Sequence, residues 1–192
     1  MLLFLCGMLP KINFYFSKTL PMNLRSVRDM DVAGKKVLFR VDFNVELNEK
    51  RDVREKYKVE SAKYTLEYLL SQGAKVALLT HLGRPEGKPD PAFSVRDIAD
   101  DVERILARKA RFVDDCVGEK VENALRDLTS DEVALLENVR FYPGDETNDP
   151  EFSKLLAAPF DLFVNGAFSV CHRDQASVTG VARFLPSSAG LH

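Results

Sequence analysis

Between Met22 and the C-terminus, short apolar runs alternate with longer segments of helical periodicity. No other feature constrains the fold as tightly, because strands separated by helices pair in parallel and need a helix layer on each face. Strands are predicted at Lys36–Val41, Lys75–Thr80, Arg111–Val113, Val133–Glu137 and Leu162–Asn165. A helix over Tyr57–Gln72 gathers Val59, Ala62, Leu66, Leu69 and Leu70 and stops at Gly73. Ser94, with Asp97 three residues on, reads as a variant capping box that opens a helix burying Val95, Ile98, Ala99, Val102, Ile105 and Leu106. Glu119–Leu128 and Glu151–Ala157, the second capped by Asp149-Pro150, complete the helices. The expected fold is one α/β domain over residues 22–192, a Rossmann-like parallel sheet with helices on both faces.

Open parallel sheets bind ligands just beyond the carboxyl ends of their strands, so the residues that follow each strand matter most. His81 to Pro85, HLGRP, releases an imidazole and a guanidinium from the second strand, through a Gly- and Pro-rich loop that runs to Pro91. The first strand leads into Asp42 and Asn44, the fourth into Asn138 and Arg140, and the fifth towards His172 and Arg173. Four polar or basic exits on one edge imply an anion site. A guanidinium grips phosphate or carboxylate through two parallel hydrogen bonds, which makes Arg84, Arg140 and Arg173 the candidate ligands. His81 adds a donor whose charge depends on a neighbouring anion. Asp42 and Asn44 are expected to accept from a substrate hydroxyl and to hold arginine side chains. Arg40, alternating with Phe39 and Val41, either faces solvent from its strand or joins the basic patch, and His172 stands on the same terms.

The 192 residues suit one domain, and 27 basic against 29 acidic side chains exclude a general polyanion binder, so no nucleic-acid partner is expected. Cys6, Cys116 and Cys171 show no C-x-x-C spacing, no metal site is predicted, and reduced thiols place the chain in the cytoplasm. Residues 1–21 are apolar and then aromatic and basic, too interrupted to span a bilayer and without the layout of a secretory signal. They are read as an N-terminal extension outside the fold.

RVDFN at Arg40–Asn44, HLGRP at His81–Pro85, LLENVRF at Leu135–Phe141 and FVNGAFSVCHR at Phe163–Arg173 resemble phosphoglycerate kinase in order and spacing. The resemblance runs from Met22 onward and is to the N-terminal, 3-phosphoglycerate-binding half of that two-domain kinase. It implies a monomer whose substrate loops are Asp42, Phe43 and Asn44, then His81, Leu82, Gly83 and Arg84, together with Arg140 and Arg173, with Arg40 and His172 in the surrounding patch. It also implies that Mg-ATP or Mg-ADP binds in a C-terminal nucleotide domain absent here, with no cofactor in this chain, and that the parent enzyme exchanges a phosphoryl group between ATP and 3-phosphoglycerate, giving 1,3-bisphosphoglycerate, in glycolysis.

Departures from the family pattern bear on catalysis. Aligning VREKYKVESAKYTLEYLL places Lys58 where the family carries a catalytic arginine, keeping the charge and losing the planar fork. Gly166 replaces a usual aspartate, Gln175 a common histidine, and Asp174 adds a negative charge. Arg54 is a possible substitute for Lys58. The chain has no Walker-type glycine loop and no G-x-G-x-x-G after a strand. The expectation is a kinase fragment inactive alone, with a stand-alone, non-catalytic phosphate- or carboxylate-binding module as the alternative.

Overall fold

The computed structural model describes residues 24–191, so the extension expected over residues 1–21 lies outside the described residues. Six strands form one sheet: β1 (Lys36–Arg40), β2 (Lys75–Leu79), β3 (Lys109–Val113), β4 (Glu132–Leu136), β5 (Leu162–Asn165) and β6 (Ser187–Ala189). Their order is β3-β4-β2-β1-β5-β6, with every neighbouring pair parallel. From β1 the chain builds outward on one side through β2, then crosses to the other side at β5. The carboxyl ends of β1 and β5 therefore flank the switch point where such sheets hold ligands.

Alternate strand residues go to opposite layers, as a pleated strand requires. Val37, Phe39, Val76, Leu78, Leu135 and Val164 pack with Leu66 and Leu69 of α2 (Lys63–Ser71) and Val102 and Leu106 of α3 (Ala99–Leu106). Leu38, Leu79, Leu136 and Phe163 pack with Val121 and Leu125 of α4 (Glu119–Asp127) and with Phe152 and Leu156 of the C-terminal helix Pro150–Ala157. Each such buried side chain contributes roughly 2 kcal/mol, which is why both faces must be covered.

The expected helix over Tyr57–Gln72 is interrupted. α1 covers Lys56–Glu60, and a tight turn at Ser61–Ala62 separates it from α2. There the Ser61 hydroxyl donates to the Lys58 carbonyl at 2.8 Å, a local bond that competes with the α-helical ladder. The capping box at Ser94 also fails to form. The Ser94 hydroxyl accepts from the Arg96 amide, while the Asp97 carboxylate pairs with Arg51 at 2.5 Å, and the first turn, Val95–Ile98, is a 3-10 turn. β3 starts two residues before the predicted Arg111, because its paired edge begins at Lys109 opposite Glu132.

β6 was not predicted, since Ser187-Ser188-Ala189 carries no apolar signature. It forms because tertiary partners are waiting. It pairs with β5, and the Ala189 amide donates to the Arg25 carbonyl at 2.9 Å. Beyond it, the hydroxyl of buried Thr65 on α2 donates to the Leu191 carbonyl at 3.0 Å and accepts from the Leu191 amide at 2.8 Å. Thr65→Val keeps the shape and removes both bonds. It is expected to cost about 1–2 kcal/mol and to speed amide hydrogen exchange at Gly190 and Leu191 selectively.

Candidate functional site

Because all six strands run the same way, the loops after β1, β2, β4 and β5 meet on one edge. They are fastened to each other by buried polar side chains. The Phe43 amide donates to the Thr80 hydroxyl at 2.9 Å, tying the first loop to the second. Asn138, fully buried and N-cap of the 3-10 turn Val139–Phe141, donates to the Leu82 carbonyl at 2.7 Å and the Phe93 carbonyl at 2.9 Å. The Gly83 peptide is gripped from both sides: its N–H by Asn44 Oδ1 at 2.9 Å and its carbonyl by Arg140 Nη1 at 2.8 Å. Gly83 has φ +62°, and a Cβ there would come within 2.3 Å of the Phe93 ring. Only glycine meets both conditions.

Around this rim the structure gathers cations from separate elements. Arg84 is exposed, Arg173 half-buried, Lys58 on α1 half-buried, and Arg140 and Arg40 are buried. His81, 3 % exposed, is held neutral, its pKa pushed down to about 2, first by burial and then by the charges of Arg40, Arg140, Arg173 and Lys58. Burial also lowers the Arg140 guanidinium, opposed by Glu146, with Arg173 and Arg84 adding repulsion. For Lys58, burial pulls the ammonium down, but the Glu55 hydrogen bond and charge outweigh it and the net shift is upward. A cleft of about 310 Å³ opens beside the switch point, between Asp42, Lys58, Ser61, Gly166 and Ser169.

Several sequence expectations need correction. Arg40 neither faces solvent nor lies on the patch surface. It shares the layer of Leu38 and is fully buried, since the loop beyond β5 folds over it and supplies Ser177, whose hydroxyl accepts from Nε at 3.4 Å. Asp42 and Asn44 make no hydrogen bond to an arginine, although the Asp42 charge acts on Arg40. Asp42 accepts from the Ser169 hydroxyl at 2.5 Å and the Asn44 amide at 3.2 Å, and Asn44 holds Gly83, because short side chains at a strand exit reach backbone first. Phe43 and Leu82 turn their side chains into the core, leaving only backbone at the rim. Arg140 Nη2 is buried without a hydrogen-bond partner, while Nε lies 3.4 Å from Glu146.

Other residues take unforeseen places. His172 is exposed, and it is not among the groups that shift His81 most. Lys58 Nζ donates to the Asn44 carbonyl at 2.8 Å and to Glu55 at 2.9 Å, whereas Arg54 is exposed, 4.0 Å from Glu46. Gly166 has no room for the family's aspartate as it stands, since a Cβ would lie 2.7 Å from the Phe39 ring. Asp174 spends its charge on the side chains of Asn148 and Thr179. Among the residues that fasten the rim, Asn138 stands in the sequence as a strand exit without a role as a fastener, and Thr80 and Ser177 do not stand out at all. The Asn138 position directly after a strand was the available signal for one of them; Thr80 and Ser177 gave none.

The fold is an open parallel α/β sheet of the Rossmann-like class, with the loops after four strands gathered along one edge. The chain belongs to the phosphoglycerate kinase family, whose family model, described as Phosphoglycerate kinase, matches residues 27–192. Phosphoglycerate kinase of Desulforudis audaxviator is 49 % identical over 167 residues, covering 87 % of this chain and 42 % of the relative. That of Rubrobacter xylanophilus is 48 % identical over 170 residues, covering 88 % and 43 %. The crystal structure of phosphoglycerate kinase from Pyrococcus horikoshii superposes with a TM-score of 0.77 at 28 % identity, covering 87 % of this chain and 42 % of that one. The chain thus spans less than half the length of these relatives.

Two outcomes follow from the geometry. Gly83→Ala is expected to destabilise the fold by about 2 kcal/mol or more, seen as a lowered Tm, through the φ +62° backbone and the Phe93 contact. His81 stays neutral when folded but protonates in the unfolded chain below about pH 6.5, so the unfolded state then binds more protons. Its contribution to stability is complete above that pH and falls on acidification, by about 2 kcal/mol at pH 5. Urea unfolding at pH 8 and pH 5 should show this extra loss in the wild type and its absence in His81→Gln.

Proposed function

We propose that this chain supplies the 3-phosphoglycerate side of a phosphoglycerate kinase. The observation that carries the reading is the convergence of Arg40, Arg140, Arg173 and Lys58 on His81, with Arg84 beside Arg140, at the carboxyl edge of the sheet. Like charges brought together in partly buried positions raise each other's energy, and a small anion with phosphate and carboxylate groups relieves that repulsion. Arg84 and Arg173 face the ligand first. Arg140 braces the loop through Gly83 and keeps a spare donor at Nη2. Asp42 and Asn44 set the loop geometry and offer acceptors to the hydroxyl.

In this reading the parent enzyme moves a phosphoryl group between ATP and the 3-phosphoglycerate carboxylate. Mg-ATP or Mg-ADP binds in the part of the longer relatives beyond this domain, and magnesium there neutralises charge on the group in flight. The residues of this chain bind and orient the acceptor, and Lys58, next to Asp42 and the cleft, is the cation that faces the transferring group. The protein acts as a cytoplasmic monomer. Among the described residues no helix is long and apolar enough to cross a membrane. A non-catalytic binding module is the second reading, favoured by the commitment of Lys58 to Glu55 and the Asn44 carbonyl.

Calorimetric titration of the 192-residue chain with 3-phosphoglycerate tests the site. Binding is expected, weakened about tenfold or more by Arg84→Ala and by Arg140→Ala, since a charge-assisted hydrogen bond contributes about 1.5–3 kcal/mol. Turnover with Mg-ATP in a coupled assay is expected to be negligible. Equal affinity in both variants and the wild type would remove the site, and robust turnover would remove the requirement for a second domain.

A further inference from the structure

We propose that Arg40 is a positioning residue that locks His81 as the neutral tautomer with its proton on Nε2, so the imidazole meets an anion as an uncharged N–H donor. The proposal rests on the anion-site reading above only for what His81 then donates to. Arg40 ends β1 and is fully buried, with every guanidinium nitrogen engaged. Nε donates to Ser177 Oγ at 3.4 Å, and Nη1 to the Leu79 carbonyl at 3.3 Å and to the Val41 carbonyl. Nη2 lies 3.0 Å from His81 Nδ1.

A guanidinium has donors only, so that contact is a hydrogen bond only if Nδ1 accepts with its lone pair. Nδ1 is then bare and the proton sits on Nε2. Arg40 keeps its own charge at neutral pH, because burial lowers its pKa only to about 10, with Asp145 and Asp42 opposing the drop. Making His81 an imidazolium would put a second N–H against the Nη2 donor, 3.0 Å away and beside a fixed positive charge.

The four charges that act most strongly on His81 are all cationic. They are Arg40 from β1, Arg140 from the turn after β4, Arg173 from the loop after β5 and Lys58 from α1. A bound phosphate group would draw a proton onto an ordinary histidine nearby. Here the Nδ1 position is already taken, so anion binding proceeds without proton uptake at His81. The charge of the rim is left to groups that do not titrate near neutrality, and the site holds the same donor pattern across the pH range where histidine normally switches.

Long-range proton–nitrogen correlation NMR of uniformly labelled 192-residue chain tests this directly. The chain has three histidines, and His81→Gln identifies the signals of His81. The expected spectrum shows Nε2 protonated and Nδ1 bare, unchanged from about pH 5.5 to 8, with and without 3-phosphoglycerate. An Nδ1–H tautomer, or titration of His81 within that range, overturns the proposal in the wild type alone, whatever the variants do. Arg40→Met is expected to release Nδ1, so that the Nδ1–H tautomer becomes populated, while burial, the largest cause of the lowered pKa, still holds His81 neutral. Arg40→Gln, which can restore a neutral donor to Nδ1, is expected to return the Nε2–H spectrum. A merely structural role for Arg40 would leave the tautomer of His81 unmoved in any folded variant, and that result also overturns the proposal. Absence of 3-phosphoglycerate binding with the Nε2–H spectrum intact removes the anion-site reading but not the lock. Binding retained with a titrating His81 removes the lock alone.

Discussion

Parallel pairing is the constraint on which the rest of this structure depends. A strand buried on both faces has nowhere to place polar side chains except at its ends, and six strands running the same way bring every carboxyl end to one edge. Residues as far apart in the chain as Asp42 and Ser169 then meet within hydrogen-bond distance. The interior of each strand is committed to packing, as Leu38 and Phe39 show by serving opposite layers. What chemistry the domain has must therefore lie on the rim.

A rim made of loops would be loose without internal fastening. Here the fasteners are amides, hydroxyls and one guanidinium that reach across between strand exits. Asn138 spans from the fourth strand exit to the backbone of the second, and Asn44 from the first to the second. These bonds satisfy buried backbone groups that would otherwise cost about 1–3 kcal/mol each. They also fix the loop from which Arg84 extends. Stability and preorganisation come from the same contacts.

The electrostatics run against stability in a way that packing does not. Burial and like charges both work to depress His81 and Arg140, so gathering these groups at the rim costs stability. The nearest compensating carboxylates are placed to hold cations in position. Glu146 lies beside Arg140 and Glu55 binds Lys58.

The apolar periodicity of the sequence by itself determined the five main strands, most of the helices and the edge on which a site must lie, because side-chain burial is a local property that repeats along the chain. The motifs around Asp42, His81, Arg140 and Arg173 likewise named the family. Only the tertiary structure decided which way the polar side chains turn. Arg40 reads as a residue that either faces solvent or joins the basic patch and is buried because a distant loop covers it, while Asn44 bonds Gly83 because strand order brings the two loops together. β6 exists through its partners and has no propensity of its own to declare it. Hydrogen bonds and charges between residues far apart in the chain depend on distances in space, and spacing along the sequence carries no record of them.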